Sequence, residues 1–424
     1  MYERVTRLSL AGALALCAAA ATAGNDAGKF VWTTKSEEAK VLLKDVQWRV
    51  ESFQFGAETV ELARKVVKAD PDFALGQYYV SVFEPDPKAA REAGEKAAEL
   101  AKQASEGERR FIEAMAIANA NGGANFRDGI PHLEKIAADY PDERLVQVIL
   151  GQLYQADNQW EKARAAFKRT EELKPGSPRV KAFLATDLVL KGRYTEAREA
   201  YAAVTKALPE GAAPGAIRYG AAFTYLYEGD PDAAIKSLEA FLAEYRQSGA
   251  AQGFPEVFIW NSIARINLES GRPEAAMAAY EKGYGSVPGS GLPDDQKQVW
   301  LGRLRHGKAR ALAKLGKTDE AWAEAEAIRK MIEVGGDAGK QYWPAYHYLA
   351  GYLKLEAGDA KAAVEHLKQA DPKDPFHRLL LARAYERLGE KESARGAYQE
   401  VLASTTNSIE RALAYPEARK KLGS

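Results

Sequence analysis

Thiol chemistry is almost missing from this chain: Cys17 is the one cysteine in 424 residues. It falls in an apolar N-terminal stretch, so the remainder can form no internal disulfide, no thiolate nucleophile and no cysteine metal site. Histidine is scarce as well. His132, His306, His347, His366 and His377 include no pair three or four residues apart, so the arrangement that sets two zinc ligands on one helix face is missing. Charge of one sign is not in excess either, since 59 basic residues meet 59 acidic ones. No global field would draw the chain to nucleic acid or to an anionic membrane, and neither is expected as a partner.

Catalytic signatures are equally thin. No G-x-S-x-G elbow and no phosphate-cradling P-loop occurs, and Gly283-Tyr284-Gly285 begins like a dinucleotide fingerprint only to meet Pro288 where the third glycine belongs. The carboxylate neighbours Glu37-Glu38 and Asp294-Asp295 diverge on a helix or sit in a loop, whereas acid catalysis needs groups converging in a pocket. The expectation is a protein that is not an enzyme, with no catalytic residues, no cofactor and no metal.

Long hydrophobic runs are confined to the start. Arg4 and Arg7 precede an apolar stretch from Leu8 to Ala21, and Ala21-Thr22-Ala23 offers small residues for cleavage before Gly24. That stretch is too short to span a bilayer comfortably, and it reads as a signal peptide over residues 1–23, cut after Ala23. Cleavage removes Glu3, Arg4 and Arg7, which leaves the mature chain within one charge of neutral. The expected location is the periplasm or the medium. Lipidation at Cys17 ranks second, because Leu16 is bulky where a lipobox takes a small residue.

What is abundant is repetition. Pro141, Pro175 and Pro209 stand 34 residues apart, each after a segment with apolar residues at helical spacing, and a proline there stops a helix. Further on a glycine is followed five residues later by an alanine: Gly192 with Ala197, Gly229 with Ala234, Gly271 with Ala276, Gly316 with Ala321, Gly358 with Ala363 and Gly389 with Ala394. Asn158 with Ala163 makes a seventh pair. Glycine accepts the left-handed turn that ends a helix, and Asp230-Pro231 or Thr318 then starts the next one. Twelve residues before each alanine the chain is again small, at Gly151, Ala185, Ala222, Ala264, Ala309, Gly351 and Ala382. Two rows of small residues in step predict helical hairpins packed backbone to backbone, with Phe167, Tyr201, Leu238, Tyr280, Leu367 and Tyr398 filling the groove beside them.

Leu150-Gly151, Tyr154, Ala163, Phe167 and Pro175 resemble the tetratricopeptide repeat signature in residue type and spacing, and Trp260, Ala276, Tyr280 and Pro288 resemble it again. The resemblance extends over about residues 142–406, and more loosely over 36–141. Asn267 and Lys354 depart from it where a large apolar residue is usual, and Ala325 replaces a filler. It implies an all-α fold, an α-solenoid wound as a right-handed superhelix of nine or ten helix pairs. Residues 24–35 are read as a flexible lead-in and 407–424 as a polar capping helix. Successive glycines from Gly192 to Gly358 are 37, 42, 45 and 42 residues apart, so extra loops at 211–214, 248–254, 288–293 and 335–339 are expected along one edge.

Members of this family hold peptides or partner helices on the concave surface lined by the first helix of each pair. Mapped by period, that surface carries Tyr219, Phe223 and Tyr227, then Asn261 and Arg265, then Arg303, His306 and Arg310, then Tyr348 and Tyr352, then Arg383 and Arg387. Tyrosine and arginine anchor many interfaces, and arginine holds a carboxylate with two parallel hydrogen bonds. Arg265, Arg303, Arg310, Tyr348 and Tyr352 are the foremost candidates. The family's clamp for a peptide C-terminus, built from Lys and Asn at set positions, is not reproduced. The expected function is an exported scaffold binding a protein or peptide in its groove. A periplasmic receptor for a small ligand or glycan is an alternative suggested by the aromatics around Tyr219, and an accessory subunit of an envelope enzyme complex is a third reading.

Overall fold

The computed structural model describes residues 29–208, 214–249 and 254–423, and every regular element among them is helical. The N-terminal stretch read as a signal peptide, with Cys17, and the loop residues 211–213 and 250–253, lie outside the described residues. The chain divides into two compact units, the first ending at Lys181 and the second beginning at Ala182. In the first, α1 (Glu37–Glu51) pairs with α2 (Ala57–Ala69), α3 (Ala74–Phe83) with α4 (Pro87–Ala101), α5 (Glu106–Asn119) with α6 (Phe126–Asp139), and α7 (Arg144–Ala156) with α8 (Trp160–Leu173). Helix α9 (Pro178–Leu190) contains the junction, and α10 (Tyr194–Ala207) follows it. In the second unit α11 (Gly215–Tyr227) pairs with α12 (Pro231–Gln247), α13 (Val257–Glu269) with α14 (Pro273–Gly285), and α15 (Asp294–Lys314) with α16 (Thr318–Val334). A short turn, α17 (Gly336–Gly339), leads to α18 (Trp343–Glu356) with α19 (Ala360–Leu367), then α20 (Pro375–Leu388) with α21 (Lys391–Ala403), and finally α22 (Ile409–Leu422).

The hairpin turns form as the glycine pattern predicts. Gly192, Gly229, Gly271, Gly316, Gly358 and Gly389 all have φ between 73° and 84°, and Asn158 takes φ 59° in the same role. The residue after each donates its N–H back across the helix end, as Gln159 does to the Tyr154 carbonyl at 2.8 Å, Asp230 to Tyr225 at 2.9 Å and Glu390 to Tyr385 at 3.0 Å. This closure satisfies carbonyls that the helix end would leave bare, and sends the chain back antiparallel.

Small residues sit where the helices touch. Ala163, Ala197, Ala234, Ala276 and Ala363 are wholly buried, as are Ala185, Ala222, Ala264, Ala309 and Ala382 in the preceding helices. A Cβ on Gly151 would lie 2.6 Å from Cε1 of Phe167, and one on Gly351 would lie 2.6 Å from Cγ of Leu367. Each filler therefore occupies the space that the small residue vacates. Burial of Phe167, Tyr201, Leu238, Tyr280, Leu367 and Tyr398 contributes about 1.5–3 kcal/mol apiece. Where the repeat departs from its pattern the chain compensates locally. Ala325 is itself buried, Asn267 bonds its own helix at the Ile263 carbonyl (3.1 Å), and Lys354 covers Trp322 while pairing with Asp359.

Residues 29–35 are not a flexible lead-in. Phe30 packs edge-on against Phe111 and Tyr140, and Thr34 is buried. The Thr33 N–H donates to Oε2 of Glu108 at 2.6 Å while the Leu75 N–H donates to Oε1 at 2.9 Å, so one carboxylate ties this segment to the start of α3. Glu108 is fully enclosed, and burial pushes its carboxyl up against the pull of those two N–H groups. Replacing it with alanine orphans two backbone donors at about 1–3 kcal/mol each. Glu108→Ala is expected to free residues 29–35, seen as faster hydrogen exchange at Thr33 with α7 and α8 unaffected. Unchanged exchange there would mean that the aromatic contacts alone hold the segment.

Candidate functional site

The last helix shapes the face on which the candidate residues lie. Ser408 caps α22 by accepting from the Arg411 N–H at 3.3 Å, Glu410 sits in its first turn, Arg419, Lys420 and Lys421 in its last, and Gly423 closes it in a left-handed conformation. Those charges complement the helix dipole at both ends. The helix does more than cover the last pair, which is the role a terminal cap would have. It packs on α20 and α21, and it also reaches back to α11 and α13.

Three of the candidates hold it there. Arg265 on α13 donates from Nη1 to Oε1 of Glu410 at 2.5 Å, and Arg383 on α20 grips Glu417 with two bonds of 2.9 and 2.6 Å. Tyr227 on α11 lies 5.8 Å edge-on from Tyr415, under the guanidinium of Arg411 at 5.1 Å, and donates to Oδ1 of Asn407 at 3.5 Å. Burial pushes the Glu410 carboxyl up, but Arg265, its own backbone N–H, the Ser408 hydroxyl and His377 together outweigh it, and the group settles below its ordinary value. Glu417 settles low for the same reason, with Arg383 overcoming burial.

Behind this contact lies a buried polar cluster that unites four more of the candidates and their neighbours. Arg310 donates from Nη1 to the Tyr348 hydroxyl at 2.8 Å and from Nη2 to the Tyr280 hydroxyl at 2.9 Å, with the Glu269 carboxylate 3.6 Å away. His306 stands 4.9 Å from the Tyr348 ring and His377 4.1 Å from it, while Tyr352 meets Tyr348 edge-on. Burial, reinforced by Arg310, drives the His306 pKa well below its usual value. Burial also lowers that of His377, against the pull of Asp374. Both rings are therefore neutral near pH 7. Arg265 stacks over Phe376, and its Nε and Nη2 are buried without a hydrogen-bond acceptor.

The remaining candidates separate from this cluster. Tyr219 and Phe223 stack on each other at 5.5 Å, and Tyr219 meets Phe241 and Phe258 edge-on, so the aromatic platform expected for a sugar is covered by its own neighbours. Tyr227 is likewise stacked on Tyr194 at 5.1 Å. Asn261 bonds within its own helix, to the Val257 carbonyl at 3.2 Å. Arg303 and Arg387 remain exposed, Arg303 over the Trp300 ring and Arg387 donating to the Leu355 carbonyl. Of the five foremost candidates, Arg310, Tyr348 and Tyr352 are buried supports of the fold, which periodicity could not distinguish from an open face.

Among curated proteins nothing matches the chain. Two family models described as tetratricopeptide repeat do match, one over residues 122–186 and 354–414 and the other over 219–291. These segments of the chain are matched as tetratricopeptide repeats. Among solved structures, a tetratricopeptide repeat protein from Parabacteroides merdae is 14% identical, with 65% of this chain and 98% of that one covered at a TM-score of 0.41. Yeast Tom70 is 13% identical over 92% of this chain and 90% of its own, with a TM-score of 0.43. Human IFIT1, solved with PPP-AAAA, is 14% identical over 87% and 95%, with a TM-score of 0.42.

Sequence periodicity does not reach the other residues of this contact and cluster: Glu269, Asp374, Asn407, Glu410, Arg411 and Glu417. The spacing of Glu410 and Glu417, seven residues apart and so on one helix face, was the available signal. A shallow depression between α14, α15 and α16, lined in part by Glu281, Arg305, Lys308 and Glu324, pairs these charges internally, Arg305 with Glu324 at 2.6 Å and Lys308 with Glu281 at 3.1 Å. No described helix is long and apolar enough to cross a membrane.

Proposed function

We propose that this tetratricopeptide repeat protein is an exported scaffold that binds a protein partner, in helical form, along the first helices of its second unit. The observation carrying this reading is that this face already holds a helix, with Arg265 and Arg383 taking its carboxylates and Tyr227 its aromatic side chain. Repeats of this family suit protein–protein interaction, and the balanced charge of the chain favours a protein over a polyanion. Export rests on Arg4, Arg7, the apolar stretch to Ala21 and the small residues up to Ala23.

Substituting Tyr348 or Tyr352 would confound binding with folding, so the test uses the two candidates that are open to solvent. A photocrosslinking residue at Arg303 or Arg387 is expected to capture one defined protein in the extracytoplasmic fraction of the source cells. The same residue at the exposed second-helix positions Lys168 and Lys361 should capture none. Equal labelling from all four positions would refute a binding face on the first helices. The intact mass of the chain recovered from that fraction should begin at Gly24, and a chain beginning at Met1 would refute cleavage.

A further inference from the structure

Helix α22 is held by unusual means for an element this central. Its fully enclosed apolar residues are alanines, at 412, 414 and 418, while Leu413 and Leu422 pack at the edge of the core only partly covered and Ile409 is half-buried. Alanine buries little area, so the hydrophobic drive to dock is weak beside that of the helix pairs, whose seams enclose Phe, Tyr and Leu. Polar contacts take its place. Glu410 and Glu417 meet Arg265 and Arg383, and Asn407 donates to the Tyr201 hydroxyl at 3.2 Å and to the Gly220 carbonyl at 3.4 Å. The segment 404–407 that joins α22 to α21 has no regular structure. Beneath it Arg265 still offers Nε and Nη2, which Glu410 leaves unbonded.

A face that receives a helix through acid–arginine pairs, and retains unused guanidinium donors, is complementary to an acidic helix in general. We propose that α22 is a resident stand-in for the partner, and that the partner presents an amphipathic helix with acidic residues seven positions apart beside a seam of alanine-sized side chains. Binding exchanges one helix for the other. Arg265 then takes a carboxylate through two bonds where Glu410 supplies one, and Arg383 keeps the bidentate grip it makes with Glu417. Tethering gives α22 a high effective concentration at its own site, so it screens out helices that lack both acids and yields only to a matching one. This inference rests on the binding face proposed above, and it adds what that face selects.

The test uses the full chain and a labelled peptide with the sequence of residues 405–423. In Glu410→Lys/Glu417→Lys the resident helix loses both anchors, and the peptide is expected to bind this variant at least tenfold more tightly than wild type. A peptide carrying the same two lysines should bind neither. Equal affinity for both proteins, or binding to neither, overturns the proposal. Should the variant lose helical circular dichroism, wild type alone decides: amides of α22 should exchange at least tenfold faster than those of α20 and α21, and equal protection overturns the proposal. A stable dimer that the peptide fails to dissociate would assign the face to α22 of a second copy, which also overturns it. Crosslinking from Arg303 and Arg387 is independent of these outcomes, so the scaffold reading can stand where this one fails.

Discussion

Arg310→Ala should destabilise the second unit by about 3–5 kcal/mol, the usual cost of removing one partner from a buried ion pair. Arg310 is 5% exposed, and the Glu269 carboxylate 3.6 Å away is as deeply enclosed. Without the guanidinium that carboxylate keeps its desolvation penalty and loses its cation, while the Tyr280 and Tyr348 hydroxyls lose their donors. Arg310→Met separates the electrostatic loss from the packing loss, since it fills most of the same space without charge. It should cost nearly as much as alanine. Arg310→Met/Glu269→Met should recover most of the stability, because removing both charges leaves no orphan. Urea unfolding followed by tryptophan fluorescence measures all three. A cost below about 1 kcal/mol for either single substitution would mean that water reaches the cluster.

The hairpins were legible in the sequence because their determinants are local. A glycine that must turn left-handed, an alanine five residues on and a filler four beyond that all lie within one unit, and repetition shows the full set five times over. The contact between Gly151 and Phe167 spans 16 residues, so period and residue size together specify it. The site was legible only by halves. Counting along the first helices put Arg265, Arg383 and Tyr227 on one face, where α22 packs, yet the carboxylate on Arg265 comes from 145 residues further on, a separation that no repeat period encodes.

Polarity hid this closure. Hydrophobic patterning identifies helices that bury Leu and Phe, and α22 buries alanines and charged groups, so it reads as a solvated end. Its acids match arginines that themselves read as solvated, and neither half of the pair signals burial alone. The N-terminal segment was misread for a related reason: residues 29–35 lack helical period, while Phe30 and Trp32 were the sign that they have somewhere to pack. In the same way Tyr348 and Tyr352 follow the period of an inner face but support the cluster from within.

Ala234→Arg should cost more than 4 kcal/mol, and how that loss spreads tests what α22 does for the fold. Ala234 is wholly buried in the seam between α11 and α12, with Ala222 and Leu238 beside it. An arginine there overpacks a closed contact, about 1–3 kcal/mol, and also strands a charge without a partner, several more. In a linear array each pair feels only its neighbours, so such a lesion would loosen α11 and α12 and leave α18 to α21 intact. Here α11 carries Tyr227 and the Gly220 carbonyl, which hold the segment 407–415, and that segment leads to the Glu417–Arg383 pair on α20. Displacing α11 therefore loosens both ends of the second unit at once. Calorimetry should show the second unit melting early, with exchange protection lost in α12 and α22 and lowered in α20 and α21, and the first unit melting where it does in wild type. Protection retained in α20 and α21 would mean that α22 does not couple them to α11, and a single unshifted transition would mean that Ala234 does not occupy the seam.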